Sequence, residues 1–167
     1  MRVPQTMPHL FKHYQLTWPA DVEKFCSSLG IACIPEVMPD HESGYIELID
    51  GYRFKIAYNV DHARVRQRFT IAHELGHYYL HRHLLGKGTG DNRAYRSDGT
   101  RLDNLDIGQL QETEANAFAA DLLMPKELIK LWRDQGLGFY EIQNRLEVSE
   151  SALSYRLQNL GIHLNSW

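Results

Sequence analysis

The stretch ARVRQRFTIAHELGHYYLHRHL, residues 63–84, decides the architecture of this chain. Phe69, Ala72, His73, Gly76, His77, Leu80 and Leu84 recur at spacings of three and four, which predicts one apolar stripe along a long helix. Two members of the stripe are histidines. They belong to His73-Glu74-Leu75-Gly76-His77, an H-E-x-x-H pattern. Residues four apart lie one above the other on a helix face with Cβ atoms about 5–6 Å apart, so both imidazoles can meet one ion at Zn–N distances of about 2.0–2.1 Å. Glu74 is rotated away from that pair yet borders the same point, where a carboxylate serves as a base instead of filling a coordination position. In a chain of this composition the pattern would arise by chance roughly 0.03 times. The alternative is a pair of core histidines bonded to backbone carbonyls, each needing its own partner, whereas one ion satisfies both.

A catalytic zinc keeps three protein ligands and one open position. The third is expected from QLQETEANAFAADLLMP (109–125), within a helix predicted over about 107–124 with Asp106 as its N-cap and Pro125 ending it. At about 100° per residue, Ala115, Ala119, Leu122 and Leu123 share one side, Glu112 and Asn116 border it, and Glu114 points nearly away. Glu112 is therefore the expected ligand and Glu114 the fallback. Ala115 and Ala119 are small enough to let the two helices approach closely, and Asn116 could accept a histidine N–H as an orienting partner. Zn2+ held by His73, His77 and Glu112 would lower the pKa of a water to about 7 and polarise a carbonyl. Glu74 would take the water's proton and pass it to the leaving amine. Tyr95, Arg93, Arg96 and His81 are candidate donors to the developing oxyanion, with nothing in the sequence to rank them.

Upstream, YIELI (45–49) and RFKIAYN (53–59) flank Asp50-Gly51, a tight-hairpin signal, and Ile31–Ile34 is another short apolar run. Val22, Phe25, Cys26 and Leu29 have helical spacing, with Pro19 before them and Gly30 behind. Residues 1–19 contain Pro4, Pro8 and Pro19 and no sustained period, which predicts an irregular arm. The glycine-rich segment 86–100 is expected to be a mobile, functional loop. Downstream, KELIKLWRDQ, FYEIQNRL and SESALSYRLQNL predict three helices, the last capped by Ser149 and Gly161. The fold class is accordingly α+β. A small, mostly antiparallel sheet packs on the long HExxH helix and the third-ligand helix, followed by a C-terminal helical, helix-turn-helix-like tail. The organisation expected is an arm over 1–19, a zinc metallopeptidase core over 20–125 and a helical subdomain over 126–167 packed on that core. A hairpin strand near the active helix is a candidate for binding an extended peptide by strand addition.

The chain has 167 residues, 43% of them hydrophobic and 23% charged, which excludes a disordered or fibrous protein. A net charge of -3 provides no general attraction for nucleic acid or anionic membranes. No apolar run is long enough to span a bilayer and the start lacks a signal-peptide pattern, so a cytoplasmic location is expected. Cys26 and Cys33 are too few for a disulfide scaffold and are expected as buried reduced thiols.

The segments QRFTIAHELGHYYLH (67–81), SGYIELIDGYRFKIAYN (43–59) and ETEANAFAADLLMP (112–125) together resemble the ImmA/IrrE family of zinc metallopeptidases. The resemblance runs from about residue 20 to the C-terminus. It implies a compact gluzincin-like core with a third ligand from a Glu-x-x-Ala-Asn segment, here Glu112, Ala115 and Asn116. It also implies a partner or substrate of the Xre type, a helix-turn-helix repressor or antitoxin in a phage, mobile-element, stress-response or toxin–antitoxin gene pair. Two rival functions exist. FYEIQNRLEVSESALSYRLQNLGI (139–162) is reminiscent of a DNA-binding helix-turn-helix, but Arg156 is the only base on its second helix, so no direct nucleic-acid contact is expected. A non-catalytic, zinc-stabilised protein binder would have no use for Glu74 and would close its metal site with a fourth side chain.

Overall fold

The structure, a computed structural model, describes residues 7–85, 93–96 and 107–164. In chain order its elements are α1 (Met7–Gln15), α2 (Val22–Ser28), β1 (Ala32–Glu36), β2 (Gly44–Ile49), β3 (Arg53–Asn59), α3 (Arg64–Leu80), β4 (Arg93–Arg96), α4 (Gln109–Leu123), α5 (Lys126–Asp134), α6 (Phe139–Leu146) and α7 (Glu150–Leu160). They fall into two units. Val22–Ala119 forms one, and Met1–Asp21 with Ala120–Trp167 forms the other.

The first unit is built on a sheet of order β1-β3-β2-β4, in which β1 runs parallel to β3 and the other two pairings are antiparallel. The β2–β3 turn forms because Asp50 and Gly51 both adopt left-handed backbone (φ 52° and 74°) and the Tyr52 N–H donates to the Ile49 carbonyl at 3.3 Å. Such a turn matches the right-handed twist of the strands it joins. Pro35 is accommodated in β1 because that strand is at the edge of the sheet. Tyr45, Ile46, Ile56 and Ala57 are buried, and α3 lies against β2 and β3. Gly44 permits this close approach: a Cβ there would overlap the Ala57 carbonyl oxygen and Thr70 Cγ2.

The predicted stripe understates the burial of α3. From Thr70 to His77 the helix is buried on every side, Arg68 is buried too, and Leu80, assigned to the stripe, is 39% exposed. The helix also ends at Leu80, short of Leu84. The reason is that α3 is covered on two faces, by the sheet and by α4, so its central turns have no solvent side. At Gly76 a Cβ would stand 3.1 Å from both the Cα and the carbonyl oxygen of Ala115 and 3.2 Å from Phe118 Cβ. The absent side chain at Gly76, together with Ala115, brings α4 close to α3.

Two further expectations are corrected in this unit. Residues 93–96, placed in a loop by their glycine-rich surroundings, form β4 on the open edge of β2, with Ile46 opposite Tyr95. An unpaired strand edge offers a row of backbone donors and acceptors, and a short segment can pair there without a hydrophobic pattern of its own. Cys33 is half-buried, whereas Cys26 is fully buried; both are free thiols. A hydrogen bond with Cys33 and burial push the Cys26 thiol well above its ordinary range.

The second unit corrects the expectation of an irregular N-terminal arm. Residues 7–15 are helical, with Leu10 and Tyr14, one turn apart, buried. Pro8 does not prevent this because it occupies the first turn, where its missing N–H would have had no intrahelical partner. Gln15 Nε2 donates to the Asp121 carbonyl at 2.9 Å, and the Trp18 and Trp132 rings meet edge to face at 5.6 Å. Residues 7–21 thus group with the C-terminal helices, and the division between the two units falls at 119/120, inside α4. Ile129, Trp132, Ile142, Leu146 and Leu153 are buried. The Ser149 hydroxyl caps α7 by accepting from the Ala152 N–H at 3.1 Å, and Gly161 closes it with φ 61°. Asp106, expected to cap the third-ligand helix, lies outside the described residues.

Candidate metal centre

His73 and His77 face one point because they are one turn apart on α3, with ring centroids 4.7 Å apart and planes at 78°. Their Nε2 atoms are 3.0 Å from each other. Glu112 enters from α4 with Oε2 3.4 Å from His73 Nε2 and Oε1 3.0 Å from His77 Nε2. Both histidines are buried and Glu112 is 17% exposed. Among the described residues, this trio has the ligand geometry of a metal site.

The donor set fits a divalent cation. Ligands about 2.0–2.1 Å from a tetrahedral centre lie about 3.3 Å from one another, close to the 3.0, 3.0 and 3.4 Å found here. Glu112 Oε1 stands 3.0 Å from His77 Nε2 and still lacks a partner of hydrogen-bonding geometry. Lone pairs aimed at a common centre, and not along each other's N–H axis, produce that combination. Glu74 supplies a second sign: it is fully buried and neither carboxylate oxygen has a hydrogen-bond partner. A buried carboxylate in that condition is costly unless a cation or a bound molecule completes it.

Proton affinities follow from the packing. Burial pushes the Glu74 carboxyl up to about 8, helped by the neighbouring Glu112 charge and opposed by His73. The Ile46 backbone N–H also favours the ionised form, but stands outside hydrogen-bonding geometry with either oxygen. Glu112 goes the other way: burial would raise it, but the adjoining His73 and His77 rings outweigh burial and hold it at about 2. Burial lowers the His77 pKa beyond what Glu112 restores; for His73 the same burial is overcome by Glu112 and Glu74, and its pKa rises. Glu112 is thus held anionic and His77 neutral, the forms in which each can ligate.

The sequence profile described as the IrrE N-terminal-like domain, peptidase family M78, matches residues 26–158. The chain belongs to this family. It is similar to the radiation response metalloprotease IrrE of Deinococcus radiodurans, 33% identical over 96 residues that make up 55% of this chain and 27% of that protein. Likeness to the metallopeptidase ImmA of Bacillus subtilis is 29% over 118 residues, 70% of this chain and 61% of the relative. The radiation response metalloprotease IrrE of Deinococcus deserti is 36% identical over 96 residues, 55% of this chain and 31% of its own length. The chain therefore spans between about a quarter and three-fifths of the curated relatives it matches.

Several sequence-predicted residues come together in this family member. Asn116 Oδ1 lies 3.0 Å from His73 Nδ1, one turn after Glu112 on α4. Glu114, the fallback ligand, lies apart from the trio and pairs with His81, its Oε2 2.9 Å from His81 Nε2. His81 was a candidate oxyanion donor; the structure engages both of its ring nitrogens, the second with His77 Nδ1 at 3.1 Å. It is 4% exposed and has no N–H free for a ligand. The backbone of Arg93, Tyr95 and Arg96 runs along β2 as β4, while their side chains lie outside the described residues. The His81–Glu114 pairing was missed by the sequence reading. The spacing His73-His77-His81, two successive steps of four, is the signal that could have found it.

Proposed function

We propose that this chain is a zinc-dependent metalloendopeptidase whose substrate is a helix-turn-helix repressor of the Xre type. The convergence of His73, His77 and Glu112 beside the buried, unpartnered carboxylate of Glu74 carries the reading. Membership of the M78 family and relatives named as metallopeptidases support it. When bound, a zinc ion supplies Lewis-acid polarisation of the scissile carbonyl and acidifies the attacking water. His73, His77 and Glu112 hold the cation, and Asn116 orients the His73 ring by accepting its Nδ1–H. Glu74 is positioned one residue from a ligand, on a stretch of α3 that is buried on every side. Its role is to accept a proton from water and deliver it to the departing amine nitrogen.

The choice of substrate rests on the family resemblance, which implies a repressor or antitoxin partner in a phage, mobile-element, stress-response or toxin–antitoxin gene pair. A cytoplasmic site of action follows from a DNA-bound substrate. No helix among the described residues is long and apolar enough to cross a membrane. Direct DNA binding by α6–α7 has less support, because Arg156, the only base on α7, is committed internally. It donates to the Met124 carbonyl at 3.1 Å and to Asp121 Oδ1 at 2.5 Å.

The test is incubation of the zinc-loaded protein with an Xre-type repressor, taken from the neighbouring gene where that gene encodes one. Wild type should cut it. Glu74→Gln should retain zinc but cleave about 10²–10⁴-fold more slowly, and His77→Ala should lose the metal. Equal cleavage by wild type and Glu74→Gln would exclude the mechanism; relief of repression with an intact repressor would favour a sequestering role instead.

A further inference from the structure

Beyond the three ligands, a chain of hydrogen bonds runs from the site to the surface. His77 Nδ1 lies 3.1 Å from His81 Nδ1, and His81 Nε2 lies 2.9 Å from Glu114 Oε2. The arrangement follows from the end of α3. The His81 N–H makes the last backbone bond of the helix, to the His77 carbonyl at 2.8 Å, and its ring folds back against His77 with centroids 5.2 Å apart. His77 is fully buried, His81 is 5% exposed at its side chain, and Glu114 is 49% exposed.

The proton count along this chain has one solution for neutral imidazoles. An ionised carboxylate only accepts, so His81 Nε2 carries the hydrogen that Glu114 receives. A neutral imidazole has a single N–H, which leaves His81 Nδ1 bare. His77 Nδ1 must then donate to it, and His77 Nε2 is left with its lone pair exposed toward Glu112 and the other Nε2. From this geometry we propose that His81 and Glu114 are positioning residues that fix His77 in its Nδ1–H tautomer, so that Nε2 is permanently available to a metal. Histidine ligands generally have such an outer partner; the distinctive feature here is that the partner is a second histidine, and the charge that sets both tautomers is at the surface. Asn116 acts on His73 through a neutral acceptor. The two ligands of α3 are therefore oriented by separate devices, both anchored on α4.

The inference rests on the reading of His77 as a ligand, and the experiment separates the two. Nitrogen-15 histidine spectra of the metal-free protein report tautomers directly. His77 should appear as Nδ1–H and His81 as Nε2–H, and a His77 found as Nε2–H overturns the proposal. Zinc affinity, read by competition with a chromophoric chelator, should fall about 10–100-fold in His81→Phe. It should fall also in Glu114→Ala, and Glu114→Gln, which keeps an acceptor oxygen, should recover most of the loss. Wild-type affinity in both His81→Phe and Glu114→Ala sinks the relay while leaving the metal site intact. Failure of the wild type to bind zinc at all would sink the enzymatic reading and the relay together. If His81→Phe does not fold, Glu114→Ala, altered at a half-exposed position, and the wild-type tautomers still decide the matter.

Discussion

At the level of single residues, the site separates groups that hold charge from groups that direct it. Asn116 is not itself a ligand, yet its amide oxygen receives the Nδ1–H of the ligand His73. Asn116→Ala should leave the fold intact and weaken zinc binding about 10–100-fold, measured by chelator competition. A second residue pair sets part of the acid limb of stability. Arg64 donates twice to Glu23, at 2.8 and 2.7 Å, and this lowers the Glu23 pKa from 4.5 despite partial burial. A carboxylate with a depressed folded pKa stabilises the protein above its unfolded pKa, and loses that contribution as pH falls through the folded value. Urea unfolding at pH 7 and at pH 3 should therefore show a smaller acid-induced loss in Arg64→Gln than in wild type. Since the Arg64 side chain is 50% exposed, the pair is worth only about 0.2–1 kcal/mol. His73, Glu74, His77 and Glu112 were legible in the sequence because helical periodicity converts spacing into direction. The His81–Glu114 contact was not. Glu114 does point away from the ligand pair, as one-helix geometry says, but His81 caps α3 and is displaced to meet it.

Among elements, those with a strong internal pattern were foreseen and those completed by a neighbour were not. The β2–β3 hairpin, α3, α4 and α5–α7 have periodicity or caps of their own. β4 forms by pairing with β2, and α1 has only Leu10 and Tyr14 to fix its inward face. The close approach of α3 and α4 makes Gly76 the most informative position for substitution. Gly76→Ala gains up to about 1 kcal/mol in helix propensity, but the new Cβ would press on Ala115 backbone atoms, which cannot rotate away. Overpacking of this kind costs about 1–3 kcal/mol. The net effect should be loss of stability by urea denaturation, accompanied by weaker zinc binding, because α4 carries Glu112.

For the whole molecule, the ligands come from two helices that are distant in sequence, so a bound ion links α3 to α4 across a separation of 35 residues or more. Ligand binding to the folded state alone adds RT ln(1 + [L]/Kd), or about 2.7 kcal/mol at a hundredfold excess over Kd. Thermal unfolding of the wild type should therefore move upward on adding zinc, and that of His77→Ala should not. Unchanged wild-type melting would contradict the assignment of the trio. The tight seat of Gly76 also bears on how this chain could diversify. Two ligands flank it within four residues, and its tolerance is set by a neighbouring main chain that offers no alternative rotamer. In a saturation library, position 76 should be depleted of nearly every replacement, and routes to altered metal preference would have to pass through the more permissive rim of α4.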